Sequence, residues 1–145
     1  MVILFAVAVI ASGCGGGSSD SGTPSTDGGS ANVVLEVVQG GTVLAGFVLS
    51  DLRDLPRVTV GSGSRKQEGP TVRSVLAAAG VEVFETVTVD GFRPGRGVGG
   101  ELTLTSAELD DQVIFVINSQ GETTLVSPSI PPERSIVDVK RLMVK

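Results

Sequence analysis

Apolar and polar positions alternate in short blocks along most of the chain. Thr86–Asp90 (TVTVD) and Glu101–Thr105 (ELTLT) alternate strictly, which predicts strands with one buried face. Val33–Val38 (VVLEVV) is β-branched and predicts an opening strand. Gly40-Gly41 predicts a hairpin turn, with Thr42–Leu44 returning and Phe47–Leu49 as a further short strand. Ser50 is the expected N-cap of one helical turn, Asp51–Leu55, which Pro56 ends. Ser106-Ala107-Glu108-Leu109 reads as a second short turn of helix. Gln112–Ile117 (QVIFVI) is apolar after its first residue and predicts the central strand. Asn118–Gly121 turns the chain, and Glu122–Val126 pairs back. Ser127–Arg134 (SPSIPPER) carries three prolines and is excluded from a central strand. Ile136–Val144 (IVDVKRLMV) supplies the last strand.

Leu55–Val81 organises the middle of the chain. It reads as a strand (Arg57–Val60), a polar glycine-rich loop (Gly61–Gly69) and a helix (Thr71–Ala79). Val72, Val75, Leu76 and Ala79 share one helical face, so Leu76 should be buried and Arg73 should point away. Pro70 suits the helix start and Gly80 its stop. A glycine-rich loop before a helix can hold an anion. This loop lacks both GxGxxG and GxxxxGK[ST], and a flexible surface connection is the favoured reading of it. Strands outnumber helices, and the predicted class is α+β, β-rich, with a mixed or mainly antiparallel sheet and short helices.

The first 31 residues have a different character. Val2–Ala11 (VILFAVAVIA) is apolar but shorter than the roughly 20 residues of a membrane span. It fits the core of a secretory signal. Ala11-Ser12-Gly13-Cys14 then resembles a bacterial lipobox, although no Lys or Arg precedes the apolar run and Ala11 stands where Leu is usual. The expected organisation is a signal peptide over 1–13, a lipidated Cys14 with a disordered Gly/Ser tether over 14–31, and a folded domain over 32–145. The expected location is the cell envelope, held to a membrane by lipid and facing the extracytoplasmic side.

Composition removes several chemistries. Of 145 residues none is His, Trp or Tyr, and Cys14 is the single Cys. Ser-His-Asp and Cys-His machinery is therefore excluded, as is an intramolecular disulfide. A net charge of −5 argues against a nucleic-acid partner. Arg65, Lys66, Arg93 and Arg96 lie in the two glycine-rich loops, Gly61–Gly69 and Gly91–Gly100. If those loops meet, they make a basic spot for a phosphate or carboxylate; otherwise the four are solvated charges. Glu108, Asp110 and Asp111 form an acidic cluster without the spacing of a known calcium motif. Ser62 and Ser64 have only Lys66 as a base nearby in sequence.

In order and spacing, FVLSDLRDLP, EGPTVRSVLAAAGV, VTVDGF, LTLTSAELDDQVIFVI, the proline-rich loop and IVDVKRLMV resemble a known family. The resemblance is to the molybdopterin-binding domain of sulfite-oxidase-type oxidoreductases, in a short bacterial form, over Val33 to Lys145. It implies a β-rich α+β fold and, in active members, a pterin-bound molybdenum held by a Cys thiolate. That thiolate comes from the loop after the strand that here ends at Val60, where this chain has Gly61-Ser62-Gly63-Ser64. A Ser hydroxyl is not deprotonated at neutral pH and does not replace it. No catalytic residue carries over, and no cofactor is expected. Molybdopterin is left only a docking of its phosphate on Arg93 and Arg96. Three functions remain: a lipid-anchored binding module for a small anion or an envelope partner, a molybdopterin-dependent oxidoreductase or subunit, and a structural envelope lipoprotein.

Overall fold

The fold is built on a five-stranded sheet in the order β2-β1-β9-β5-β6. Its strands are β1 (Leu35–Gln39), β2 (Thr42–Phe47), β5 (Thr86–Phe92), β6 (Gly99–Thr105) and β9 (Val137–Val144). β1 and β9 run parallel and the other neighbours antiparallel, so the sheet is mixed. The computed structural model describes residues 32–95 and 97–145. The signal, Cys14, the tether and Arg96 lie outside the described residues.

Alternation sorts the two faces of the sheet. One row runs Val37, Leu142, Val89, Leu102 across four strands, and the next runs Val144, Val87, Leu104. All seven are at most 4% exposed. Each such side chain contributes about 1.5–3 kcal/mol of burial. The other face is wet: Glu36, Arg141, Asp90 and Glu101 lie side by side, with Arg141 paired to Glu36 at 3.4 Å.

The second layer covers the apolar face. It holds two short helices, α1 (Leu49–Asp54) and α2 (Val72–Ala78), and two hairpins. One hairpin joins β3 (Arg57–Val60) to β4 (Gln67–Pro70), and the other joins β7 (Ile114–Ile117) to β8 (Thr123–Val126). Leu52, Val72, Val75, Leu76, Phe115 and Leu125 meet the sheet with no exposed surface. The hairpins are locked together where Thr71 bridges Ile114 and where β4 crosses β7. A Cβ on Gly69 would overlap the Phe115 carbonyl oxygen, so only glycine allows that crossing.

Several expectations need correction. The central strand is β9, whereas the 112–117 segment forms half of a two-stranded hairpin. Its unbroken apolarity reports burial on both faces at Ile114 and Phe115, both fully buried, and not a place in the main sheet. Gln67–Pro70 is a strand, so the predicted loop is shorter and the β3 strand does not feed a helix start directly. Pro70 ends that strand, and Thr71 caps α2 by accepting from the Ser74 amide at 3.0 Å. α1 begins earlier than expected, with Val48 at its cap and its amide donating to Asp51 at 3.2 Å, which leaves Ser50 inside the helix. The predicted strands at Thr42–Leu44 and Phe47–Leu49 reduce to one, β2, ending at Phe47. Gly80 stops α2 with a φ of 82°, as its position suggests.

Candidate ligand cleft

The loop between β3 and β4 makes a single 3-10 turn over Gly63–Arg65, closed by the Arg65 amide donating to the Ser62 carbonyl at 3.2 Å. Its first residue has no room for a side chain. Gly61 has a φ of 95°, and a Cβ there would sit 2.5 Å from the Arg65 carbonyl oxygen. The loop therefore presents backbone, two exposed hydroxyls and the Arg65 side chain.

Residues 127–132 face this loop. Ser127 is buried, and its hydroxyl oxygen accepts from the Ser129 amide at 3.2 Å. The Ile130 amide donates to the Ser127 carbonyl at 3.3 Å. Pro128, Pro131 and Pro132 fix the backbone between these bonds, which makes a stiff apolar wall. An open cavity of about 490 Å³ lies between wall and loop. Val60, Val126, Pro128 and Ile130 give it an apolar lining, and Ser62, Arg65 and Gln67 supply the polar groups.

The other glycine-rich loop reaches the same wall from the far side. Pro94, Leu125 and Ser135 join Ile130 and Pro132 around a second cavity of about 380 Å³. Arg93, however, turns back over β6. Its Nη2 donates to the Glu101 carbonyl at 3.0 Å, its stem lies against Gly100, and its Nε is buried with no hydrogen-bond partner among the described residues. It borders a third cavity, of about 600 Å³, with Asp90 and Glu101. Arg65 and Arg93 thus line different cavities. Lys66 is exposed at the end of the β3–β4 turn, and Arg96 lies outside the described residues.

The acidic cluster is used locally. The Glu108 carboxylate accepts from the Thr105 amide at 2.8 Å and from the Thr105 hydroxyl at 2.9 Å. The Thr105 amide bond, and after it the Thr105 hydroxyl bond, hold the Glu108 carboxyl below its usual 4.5 against an opposing desolvation, with a weaker contribution from the Arg134 charge. Asp110 accepts from the Gln112 amide at 2.9 Å. Among the described residues no three His, Cys, Asp or Glu side chains stand close enough to hold a metal ion. No hydrogen bond joins Ser62 or Ser64 to Lys66 among the described residues.

Two features escape a pattern reading. One is the wall at 127–132, whose clustered prolines signal rigidity but not which neighbour they face. The other is Arg73. It sits on the exposed, polar side of α2 as its position suggests, yet its Nη2 donates to the Ser106 carbonyl at 2.8 Å and its Nε to the Leu109 carbonyl, so it is anchored as well as exposed. Comparison with protein-family models and with curated proteins gives no match.

Proposed function

We propose that the chain is an extracytoplasmic, lipid-anchored binding module whose domain is a degenerate relative of the sulfite-oxidase-type molybdopterin-binding fold. The observation that carries this reading is the cleft between the β3–β4 turn and residues 127–132, apolar along its walls with one guanidinium, Arg65, at its edge. Such a site suits a small ligand with an apolar body and an anionic end, because the walls take the body and the planar guanidinium takes a carboxylate or phosphate.

The residues at this position do not suit a thiolate-held molybdenum. The loop after Val60 offers glycine, serine, arginine and lysine, none of them a soft donor. Gly61 cannot be exchanged for a side-chain ligand without moving the Arg65 carbonyl.

Two measurements on purified protein test the proposal. Elemental and pterin analysis, after expression in a host that builds molybdopterin, should find neither in stoichiometric amount. Titration with benzoate, an apolar anion, should shift NMR signals of residues 61–67 and 126–132, and Arg65→Ala should weaken that response about tenfold or more. Stoichiometric molybdenum, or benzoate shifts spread evenly over the surface, would overturn the reading.

A further inference from the structure

The cavity of about 490 Å³ beside the β3–β4 turn and the cavity of about 380 Å³ beside Pro94 have four lining residues in common. These are Val126, Ser127, Ile130 and Pro132, so the two cavities adjoin along one segment of backbone. They differ in charge. The first has Arg65 at its edge. The three ion pairs among the described residues use Arg57, Lys140 and Arg141, which leaves the Arg65 guanidinium without a carboxylate there. The second cavity is lined by no charged residue. Its polar groups are bonded to one another: the Ser135 hydroxyl donates to the Leu125 carbonyl at 3.2 Å, and the Ser127 hydroxyl oxygen accepts from the Ser129 amide at 3.2 Å.

We propose that the two cavities form one trough for a linear alkyl carboxylate, a fatty acid bound as a single molecule; this rests on the cleft reading above and names its ligand class. The carboxylate lies on Arg65, and the chain crosses Ile130 and ends beside Pro94. Charge at one end and none at the other sets that direction, since a buried charge without a partner is costly and a hydrocarbon tail has none.

The backbone of the shared segment favours an alkyl chain over a peptide. Pro128, Pro131 and Pro132 have no N–H. The Ser129 amide donates to the Ser127 hydroxyl, and the Ile130 amide to the Ser127 carbonyl at 3.3 Å. From 128 to 132, then, every amide hydrogen is absent or engaged. An extended peptide draws its affinity from main-chain hydrogen bonds to the groove that holds it, whereas an alkyl chain asks only for apolar contact.

NMR titration of the full chain carrying Cys14→Ala, which has no acyl group of its own, tests the proposal. The ligands are benzoate, hexanoate, octanoate and decanoate, each below its micelle-forming concentration. Affinity should rise about two- to fourfold with each added methylene along the alkyl series. Hexanoate should shift signals of residues 61–67 and 126–132, and decanoate those of Leu125 and Ser135 as well. Arg65→Ala should weaken benzoate and decanoate alike. Pro94→Glu sets a carboxylate against the far end of the chain, so the ratio of decanoate to benzoate affinity, which cancels any general loss of folded protein, should fall about tenfold. Benzoate binding at the cleft with a series flat in chain length, or with a ratio that Pro94→Glu does not change, overturns the trough and leaves the cleft standing. Benzoate and decanoate binding that both ignore Arg65→Ala overturns the two together. A chain that binds vesicles of anionic lipid but no monomeric decanoate also overturns the proposal, because the apolar strip is then a membrane contact.

Discussion

Gly69 shows how much one residue can decide in this chain. It sits in β4 where that strand passes over the backbone of β7, and a methyl group there would overlap the Phe115 carbonyl. Gly69→Ala must push two hairpins apart, and those hairpins hold Phe115 and Leu125 in the core. We expect a loss of about 3 kcal/mol or more in denaturant titration, with unchanged secondary structure content if the variant folds. A loss below about 1 kcal/mol would mean that the hairpins do not cross this closely. Glu108 acts by charge instead. Its carboxyl is held below 4.5 in the folded chain, first by the Thr105 amide and then by the Thr105 hydroxyl and Arg134. A depressed carboxyl stabilises the fold above its unfolded value and loses that effect as pH falls through the folded value. Stability curves for the wild-type chain and Glu108→Gln should therefore differ above pH 4.5 and converge in stronger acid. A gap that persists at low pH would show that the carboxylate is not what the Thr105 amide reads.

At the scale of elements, α2 is the piece that joins the halves of the second layer. Its apolar face, Val72, Val75 and Leu76, was legible in the sequence because a spacing of three and four residues has one helical interpretation. Its polar face was not. Arg73 ties α2 to the turn after β6 through the Ser106 and Leu109 carbonyls, and Leu109 itself is fully buried. Nothing in a periodic pattern distinguishes an arginine that reaches a carbonyl 36 positions away from one that reaches water. Arg73→Ala should cost about 1–3 kcal/mol, since it leaves two carbonyls without a charged donor. Arg73→Lys should recover little of that loss, because one ammonium does not match two carbonyls as a fork of nitrogens does. A neutral Arg73→Ala would return the residue to the solvent role that its position on the helix suggests. The strands divide in the same way. β5 and β6 were legible because one face is wet and the other dry, which alternation records directly. β9 was legible as a strand but not as the centre. A bulge opposite Asp90 and Phe92 and the charged Lys140-Arg141 pair interrupt its apolar pattern, whereas the two-sided burial of β7 imitates a central strand. The cleft was half legible: the glycine-rich turn stands out in the sequence, but the wall that faces it depends on how two distant hairpins pack.

At the scale of the whole molecule, the reading as an anchored module rests on the sequence before residue 32. A ten-residue apolar run is too short to span a bilayer but long enough for a signal. The chain's single thiol follows it directly, at Cys14. A Gly/Ser stretch then separates Cys14 from the first strand at Leu35. The described residues contain no helix long and apolar enough to cross a membrane; in this reading the leader and its thiol supply membrane retention. The expected outcome is specific: the wild-type chain fractionates with membranes and partitions into detergent, whereas Cys14→Ala appears in the aqueous fraction with its fold intact. Two results would separate the parts of this argument. Retention of Cys14→Ala in the membrane fraction would remove the lipid anchor while leaving the domain and its cleft untouched. Release of Cys14→Ala together with loss of the benzoate response would mean that the cleft is organised by the anchored segment, against its construction here from Val60, Arg65 and residues 127–132.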